Sequence, residues 1–326
     1  MMRRSTADNA TAQVAFLFGG LAAIQVRTVV AGIALALVVA GCARGPDLGI
    51  TTLKPPTLAA LQSHLLNNKA DVDQFRLRGP FAVTADTNHE IRLSATERID
   101  TDLFLAAPAG KAPLVIFMHG YANTKASHTY QAMHVASWGM HSLAVQLPNT
   151  GSWSTNGKTL ARLVNLIRRA PEIVDSRIDV DRIILIGHSF GGTSVAIALA
   201  EGARAAGGIL LDPAGVGRNL PDILRKISSP VIVLGADERV SETRNREYFY
   251  RYIRAGVSEV SIRNATHEDA EYPSQFAQTT EESQISFVAA LTAAAISLSA
   301  TGKFDYAWAS FSGAVENGNL FNARTK

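Results

Sequence analysis

Residues 182–192, Arg-Ile-Ile-Leu-Ile-Gly-His-Ser-Phe-Gly-Gly, constrain the fold of this 326-residue chain more than any other stretch. Ile183, Ile184, Leu185 and Ile186 run without alternation into Gly187-His188-Ser189-Phe190-Gly191. Small residues then follow from Thr193 to Ala200. An unbroken apolar run of β-formers suits a strand buried on both faces, and the small-residue stretch suits a helix lying close against it. Gly187 and Gly191 leave room for strand and helix to approach, and a sharp turn between them holds Ser189 in a strained conformation with its hydroxyl above the sheet. The helix N-terminus beside it favours negative charge.

The rest of the chain alternates in the same way. Strand-like stretches occupy residues 81–84, 90–93, 102–106, 114–118, 141–147, 182–186, 207–211, 231–234 and 257–262. Helical spacing occupies 125–138, 157–169, 190–203, 241–255 and 276–298. This alternation predicts an α/β fold with a mainly parallel central sheet, helices on both faces, and ligands bound at the carboxyl ends of the strands.

Composition excludes several classes. With 47% hydrophobic and 18% charged residues, the chain can bury a sizeable core, so most of it is ordered. Its single cysteine cannot form an intrachain disulfide, and no Cys/His spacing suits zinc. His128, His134 and His141 share no metal-ligand spacing and read as helix-surface or core residues, so they suggest no metal; an organic cofactor is not expected either. The net charge is +3, of which Arg3, Arg4 and Arg27 against Asp8 supply +2 in the first 41 residues. That leaves no basic face to suggest nucleic acid.

The N-terminus reads as an address. After Arg27, residues 28–40 are almost wholly apolar and lead into Gly41-Cys42, too short a run for the roughly 20 residues of a membrane span. Val39-Ala40-Gly41-Cys42 resembles the lipobox of bacterial lipoproteins. The resemblance implies cleavage before a lipidated Cys42, and Ala43 after it is similar to lipoproteins sent to the outer membrane. The expected organisation is a signal peptide over 1–41, a Gly/Pro-rich tether over 42–56, and one domain over 57–326 that carries a short N-terminal helix and a C-terminal helix and tail. Thr57 is the predicted N-cap of that first helix, with Leu58, Leu61, Leu65 and Leu66 on its apolar side.

The His119-Gly120-Tyr121 turn, the Gly187-His-Ser-Phe-Gly191 turn and the late His267 together resemble the α/β-hydrolase fold over about residues 80–295. Gly187-His-Ser-Phe-Gly-Gly192 with Leu211-Asp212-Pro213 is similar to platelet-activating-factor acetylhydrolase and chlorophyllase-like enzymes. His119-Gly-Tyr-Ala-Asn123 also suits the cutinase and dienelactone hydrolase group, from whose polyester hydrolases this chain departs in lacking disulfide cysteines. The resemblance implies Ser189 as nucleophile and His267, in the polar turn after the 257–262 strand, as general base. It further implies an oxyanion hole from the backbone N–H groups of Tyr121 and Phe190. The side chains of Tyr121 and Phe190 would flank the acyl group, with Trp153 as a further apolar wall.

Three carboxylates compete to orient His267. Asp212 closes the 207–211 strand in the acetylhydrolase pattern and is preferred. Asp237, then Glu238, sit in the turn after the next strand, where most family members place theirs. His188 and His119 read as packing or loop-shaping groups.

The expected activity is hydrolysis of a small-molecule or lipid carboxylic ester through an acyl-enzyme, by a protein held on the envelope membrane through Cys42. A peptidase or amidase on the same fold, or a catalytically silent binding lipoprotein, are the alternatives. Cys42→Ser should leave an unlipidated precursor that no longer fractionates with membranes. Mass spectrometry of the wild-type N-terminus checks this, and an intact 1–41 segment on membrane-bound protein would contradict it.

Overall fold

Successive residues of the 182–186 run pack on opposite sides of a sheet. Ile184 and Ile186 belong to one buried cluster, Ile183 and Leu185 to another. Because side chains alternate along a strand, an apolar residue at every position supplies two cores at once. The computed structural model describes residues 57–108, 110–147, 153–240, 246–274, 276 and 278–326. The expected signal segment, Cys42, the expected tether and residues 148–152 lie outside them.

The strands are β1 (Val83–Arg92), β2 (Arg98–Ala106), β3 (Ala112–Met118), β4 (His141–Val145), β5 (Ile178–His188), β6 (Gly207–Leu211), β7 (Val231–Gly235), β8 (Val257–Ile262) and β9 (Leu320–Thr325). They form one sheet in the order β1-β2-β4-β3-β5-β6-β7-β8-β9. The block from β4 to β8 is parallel, while β2 joins β4, β1 joins β2 and β9 joins β8 antiparallel.

The helices are α1 (Leu58–Asn67), α2 (Thr129–Ser137), α3 (Trp153–Arg169), α4 (Phe190–Ala200), α5 (Leu220–Leu224), α6 (Arg246–Tyr252), α7 (Glu281–Thr301), α8 (Asp305–Ser310) and α9 (Ser312–Glu316). Apolar residues of α1, α2, α7, α8 and α9 complete the first cluster, and those of α3, α4, α5 and α6 the second. Thr57 caps α1 by accepting a hydrogen bond from the Ala60 N–H at 3.1 Å. α7 is apolar nearly all round and correspondingly buried, as a helix without a polar face must be.

Two strand assignments differ from the sequence reading. The predicted strands at 81–84 and 90–93 are one strand, β1, whose register shifts between Asp86 and His89. The residues between are exposed, so they carry no hydrophobic pattern to mark them as sheet. β9 was not expected either, because beyond Leu320 it is polar or partly exposed edge backbone.

The register sets out the carboxyl edge. Met118 of β3 lies opposite Gly187 of β5, and His188 opposite Leu211 of β6. The residues immediately after these, at 119–123, 189 and 212, therefore emerge side by side. Strand order reverses around β3, which puts the opening between β3 and β5 at the switch point of the sheet.

Helix α3 reaches α4 through Gly157, where a Cβ would lie 2.6 Å from the Ile197 Cβ and 2.8 Å from the Ser194 carbonyl oxygen. Gly157→Ala should therefore lower the melting temperature although alanine favours helix by about 1 kcal/mol, since overpacking costs about 1–3 kcal/mol. Thermal unfolding followed by circular dichroism checks the sign.

Candidate active site

β5 ends at His188 and α4 begins at Phe190, so Ser189 alone makes the reversal. Its backbone sits at φ 53°, ψ −120°, a region that costs an L residue on the order of 1–3 kcal/mol. Neighbouring groups hold it there. The Ser189 N–H donates to the Leu211 carbonyl at 3.0 Å, and its own carbonyl accepts from the Ala214 N–H at 3.0 Å and the Thr193 N–H at 3.2 Å. The glycines are required by contact: a Cβ on Gly191 would stand 2.3 Å from the Met118 oxygen, and one on Gly187 would stand 2.4 Å from the Gly191 oxygen. Ser189 is buried apart from a small accessible fraction at the sheet edge.

His267 follows β8, and its Nδ1 lies 2.5 Å from Asp212 Oδ2. Asp212, itself at φ 39° just after β6, uses Oδ1 to accept the Ala236 N–H at 3.1 Å. The carboxylate is thus fixed at both oxygens, and an Nδ1–H donated to it leaves Nε2 as the basic nitrogen of the ring. Burial by itself lowers the His267 pKa. The hydrogen bond and charge of Asp212 outweigh it, and the net shift is upward from 6.5.

The two other carboxylates have different surroundings. Asp237 is buried and accepts from the Arg239 backbone N–H, from Arg239 Nε and a terminal nitrogen at 3.0 and 2.7 Å, and from the Asn264 N–H at 2.9 Å. Arg239 holds its pKa at about 2. Asp237 thereby ties down Asn264, a turn residue at φ 57° three positions before His267, and so supports the turn rather than the imidazole. Glu238 is exposed. Of the three acids weighed from the sequence, Asp212 is the one in contact with His267.

On the other side of Ser189 lies the turn after β3. A Cβ on Gly120 would come within 3.0 Å of His188 Nδ1 and 3.4 Å of the Ser189 Cβ, so a side chain there would crowd both. His119 Nε2 faces the Leu147 N–H at 3.3 Å, which can only donate. The proton of His119 is consequently on Nδ1, which donates to the Gly120 carbonyl at 2.8 Å, and burial keeps the ring neutral by lowering its pKa. The aromatic residues expected near substrate come together here. Phe190 lies between Tyr121 and Trp153, with ring centroids 5.5 and 5.2 Å away, and Tyr121 is 59% exposed.

The sequence reading missed Glu271 and Asn123. Glu271, buried to 1% exposure, accepts from the Gly120 N–H at 3.2 Å and from Asn123 Nδ2 at 2.5 Å. Four residues beyond His267 in Glu268-Asp269-Ala270-Glu271, it carries no signal separating it from a solvated acidic turn. His128 and His134, read as helix or core residues, are buried and hydrogen-bonded to backbone carbonyls.

By nuclear magnetic resonance, His267 should titrate above 6.5 and fall when Asp212→Asn removes the charge, while Asp237→Asn should leave an upward shift in place. Because the folded value is raised, this pair stabilises the fold fully below the unfolded pKa of 6.5, and the contribution fades as pH rises through the folded value.

Comparison with known proteins agrees with this architecture. A profile described as the alpha/beta hydrolase family matches residues 115–312, which run from β3 through His267 into α9. Cutinase 1 of Thermobifida cellulosilytica is 25% identical over 195 residues, covering 58% of this chain and 72% of that protein. The cutinase of Thermobifida fusca (strain YX) is 25% identical over 195 residues, covering 58% of this chain and 63% of its own length. With a mainly parallel sheet and a strained serine between β5 and α4, the chain, matched by this profile over more than half its length, belongs to the alpha/beta hydrolase family.

Proposed function

We propose that the protein hydrolyses carboxylic esters through an acyl-enzyme, with Ser189 as nucleophile, His267 as general base and Asp212 as the acid that orients it. The observation that carries this reading is the 2.5 Å contact of His267 Nδ1 with Asp212, beside a serine held at φ 53° on the carboxyl edge of the sheet. A serine hydroxyl is a weak nucleophile unless a positioned base takes its proton. In this reading Ser189 Oγ bonds to the ester carbonyl carbon as its proton passes to His267 Nε2. Asp212 keeps the imidazole in the Nδ1–H tautomer and stabilises the imidazolium that forms.

The negative charge on the substrate oxygen is met by the backbone N–H groups of Tyr121 and Phe190. Neither donates to a protein acceptor among the described residues, which leaves both available. Collapse of the adduct breaks the bond to the alcohol oxygen, which takes the proton from His267 and leaves as alcohol. Water then attacks the acyl carbon, His267 receives its proton and returns it to Ser189 Oγ, and the carboxylic acid departs. Tyr121, Phe190 and Trp153 form the apolar wall against which the substrate lies. The ester preference is supported by the cutinase relatives, and attachment to the envelope membrane through Cys42 by the lipobox-like segment.

Ser189→Ala should lower p-nitrophenyl butyrate turnover by several orders of magnitude and abolish labelling by a fluorophosphonate, with the fold retained. Adding His267→Ala should cost little more, because members of such a unit act together. Steady-state kinetics on ester and anilide substrates check both the nucleophile and the preference for esters. Most of the activity surviving in folded Ser189→Ala would overturn the assignment.

A further inference from the structure

The Glu271 carboxylate is almost wholly removed from water, yet it is not part of the Ser189, His267 and Asp212 arrangement. Burial alone would push its pKa up, but His188 and the donors around it bring it down to about 2, so it is an anion at any working pH. A buried anion persists only where donors meet it. Oε1 accepts the Gly120 N–H, and Oε2 accepts the Asn123 side chain at 2.5 Å. These two donors bracket Tyr121, whose N–H is assigned above to the oxyanion.

The backbone that carries Glu271 is itself clamped. The Glu271 carbonyl accepts from Gln284 of α7 at 3.1 Å, and the Ala270 carbonyl from Gln131 of α2 at 2.9 Å. The Tyr272 N–H donates to Ser127 and the Tyr272 carbonyl accepts from Tyr130, at 3.0 and 3.1 Å. The carboxylate thus projects from a fixed platform toward the turn after β3. It also touches the residue before the nucleophile: His188 Nδ1 lies 3.0 Å from Oε1, out of line for a hydrogen bond, and the His188 ring stands 4.5 Å from the His267 ring.

We propose that Glu271 is a positioning residue for acyl transfer, acting through Gly120 and Asn123 to aim the Tyr121 N–H at the developing oxyanion. The proposal rests on the reading of Ser189 as nucleophile. An oxyanion donor acts only on the transition state, so displacing it lowers kcat and spares KM. A residue that merely supported the fold would lower the melting temperature and leave kcat per active site unchanged.

The test uses the full chain in detergent, with kcat and KM measured on p-nitrophenyl butyrate and active sites counted by fluorophosphonate titration to its end point. Glu271→Ala should lower kcat per titrated site on the order of 100-fold with KM changed by less than about threefold. Glu271→Gln keeps an acceptor for Gly120 and should restore kcat to within roughly tenfold of wild type. Asn123→Ala, at a half-buried side chain, should lose roughly tenfold in kcat and stay folded, so it decides the matter if Glu271→Ala does not fold.

Folded Glu271→Ala or Asn123→Ala with wild-type kcat per site, or with a change confined to KM, overturns the proposal while leaving the Ser189 reading intact. Failure of the fluorophosphonate to label Ser189 in the wild type overturns that underlying reading instead.

Discussion

The close approach of α4 to the end of β3 sets the arrangement of the whole carboxyl edge. Gly191 lies so near the Met118 and His119 carbonyls that no side chain fits, and this contact drives the chain through the conformation seen at Ser189. Local strain of this kind persists only where the surroundings over-determine it. Here the surroundings are the buried parallel strands, whose register puts the ends of β3, β5 and β6 in adjacent positions. The packed interior therefore bears the cost of holding a hydroxyl at the mouth of the sheet.

Around that fixed point, buried carboxylates hold the loops. Asp212 joins the His267 imidazole to the Ala236 backbone, Asp237 joins Arg239 to Asn264, and Glu271 joins Gly120 to Asn123. Asp269 adds another link, accepting from the Thr266 N–H at 2.7 Å and the Thr280 N–H at 2.8 Å, which ties the His267 turn to the start of α7. Loops have no ladder to satisfy their backbone donors, and an ionised acceptor binds such donors more strongly than a neutral one. The same chemistry thus serves the His267 imidazole in one place and loop geometry in three others.

What could be read from the sequence follows from which physical effects leave local traces. The Ser189 turn was legible because close backbone contacts, Gly187 with Gly191 and Gly191 with Met118, admit only glycine at both positions, and the central strands because burial on both faces excludes polar residues. β1 was read as two strands and β9 not at all, since edge strands face water and are held by ladder bonds that impose no pattern on side chains. Glu271 was invisible for a different reason. The donors to its carboxylate, Gly120 and Asn123, come from the turn after β3, 151 and 148 residues away in sequence, and nothing in the 268–271 run distinguishes it from Glu268.

The two edges of the sheet also bear on how the chain behaves among copies of itself. An open strand edge is a template on which another molecule can add backbone hydrogen bonds, and natural sheets blunt their edges with charge, bulges or cover for that reason. β1 and β9 close the block of buried strands at opposite ends. β1 interrupts its ladder with a register shift, while β9 presents Arg324, drawn onto the buried Glu259, beside Asn322 at φ 51°. Charge and irregular backbone at both margins make each a poor template for strand pairing between copies.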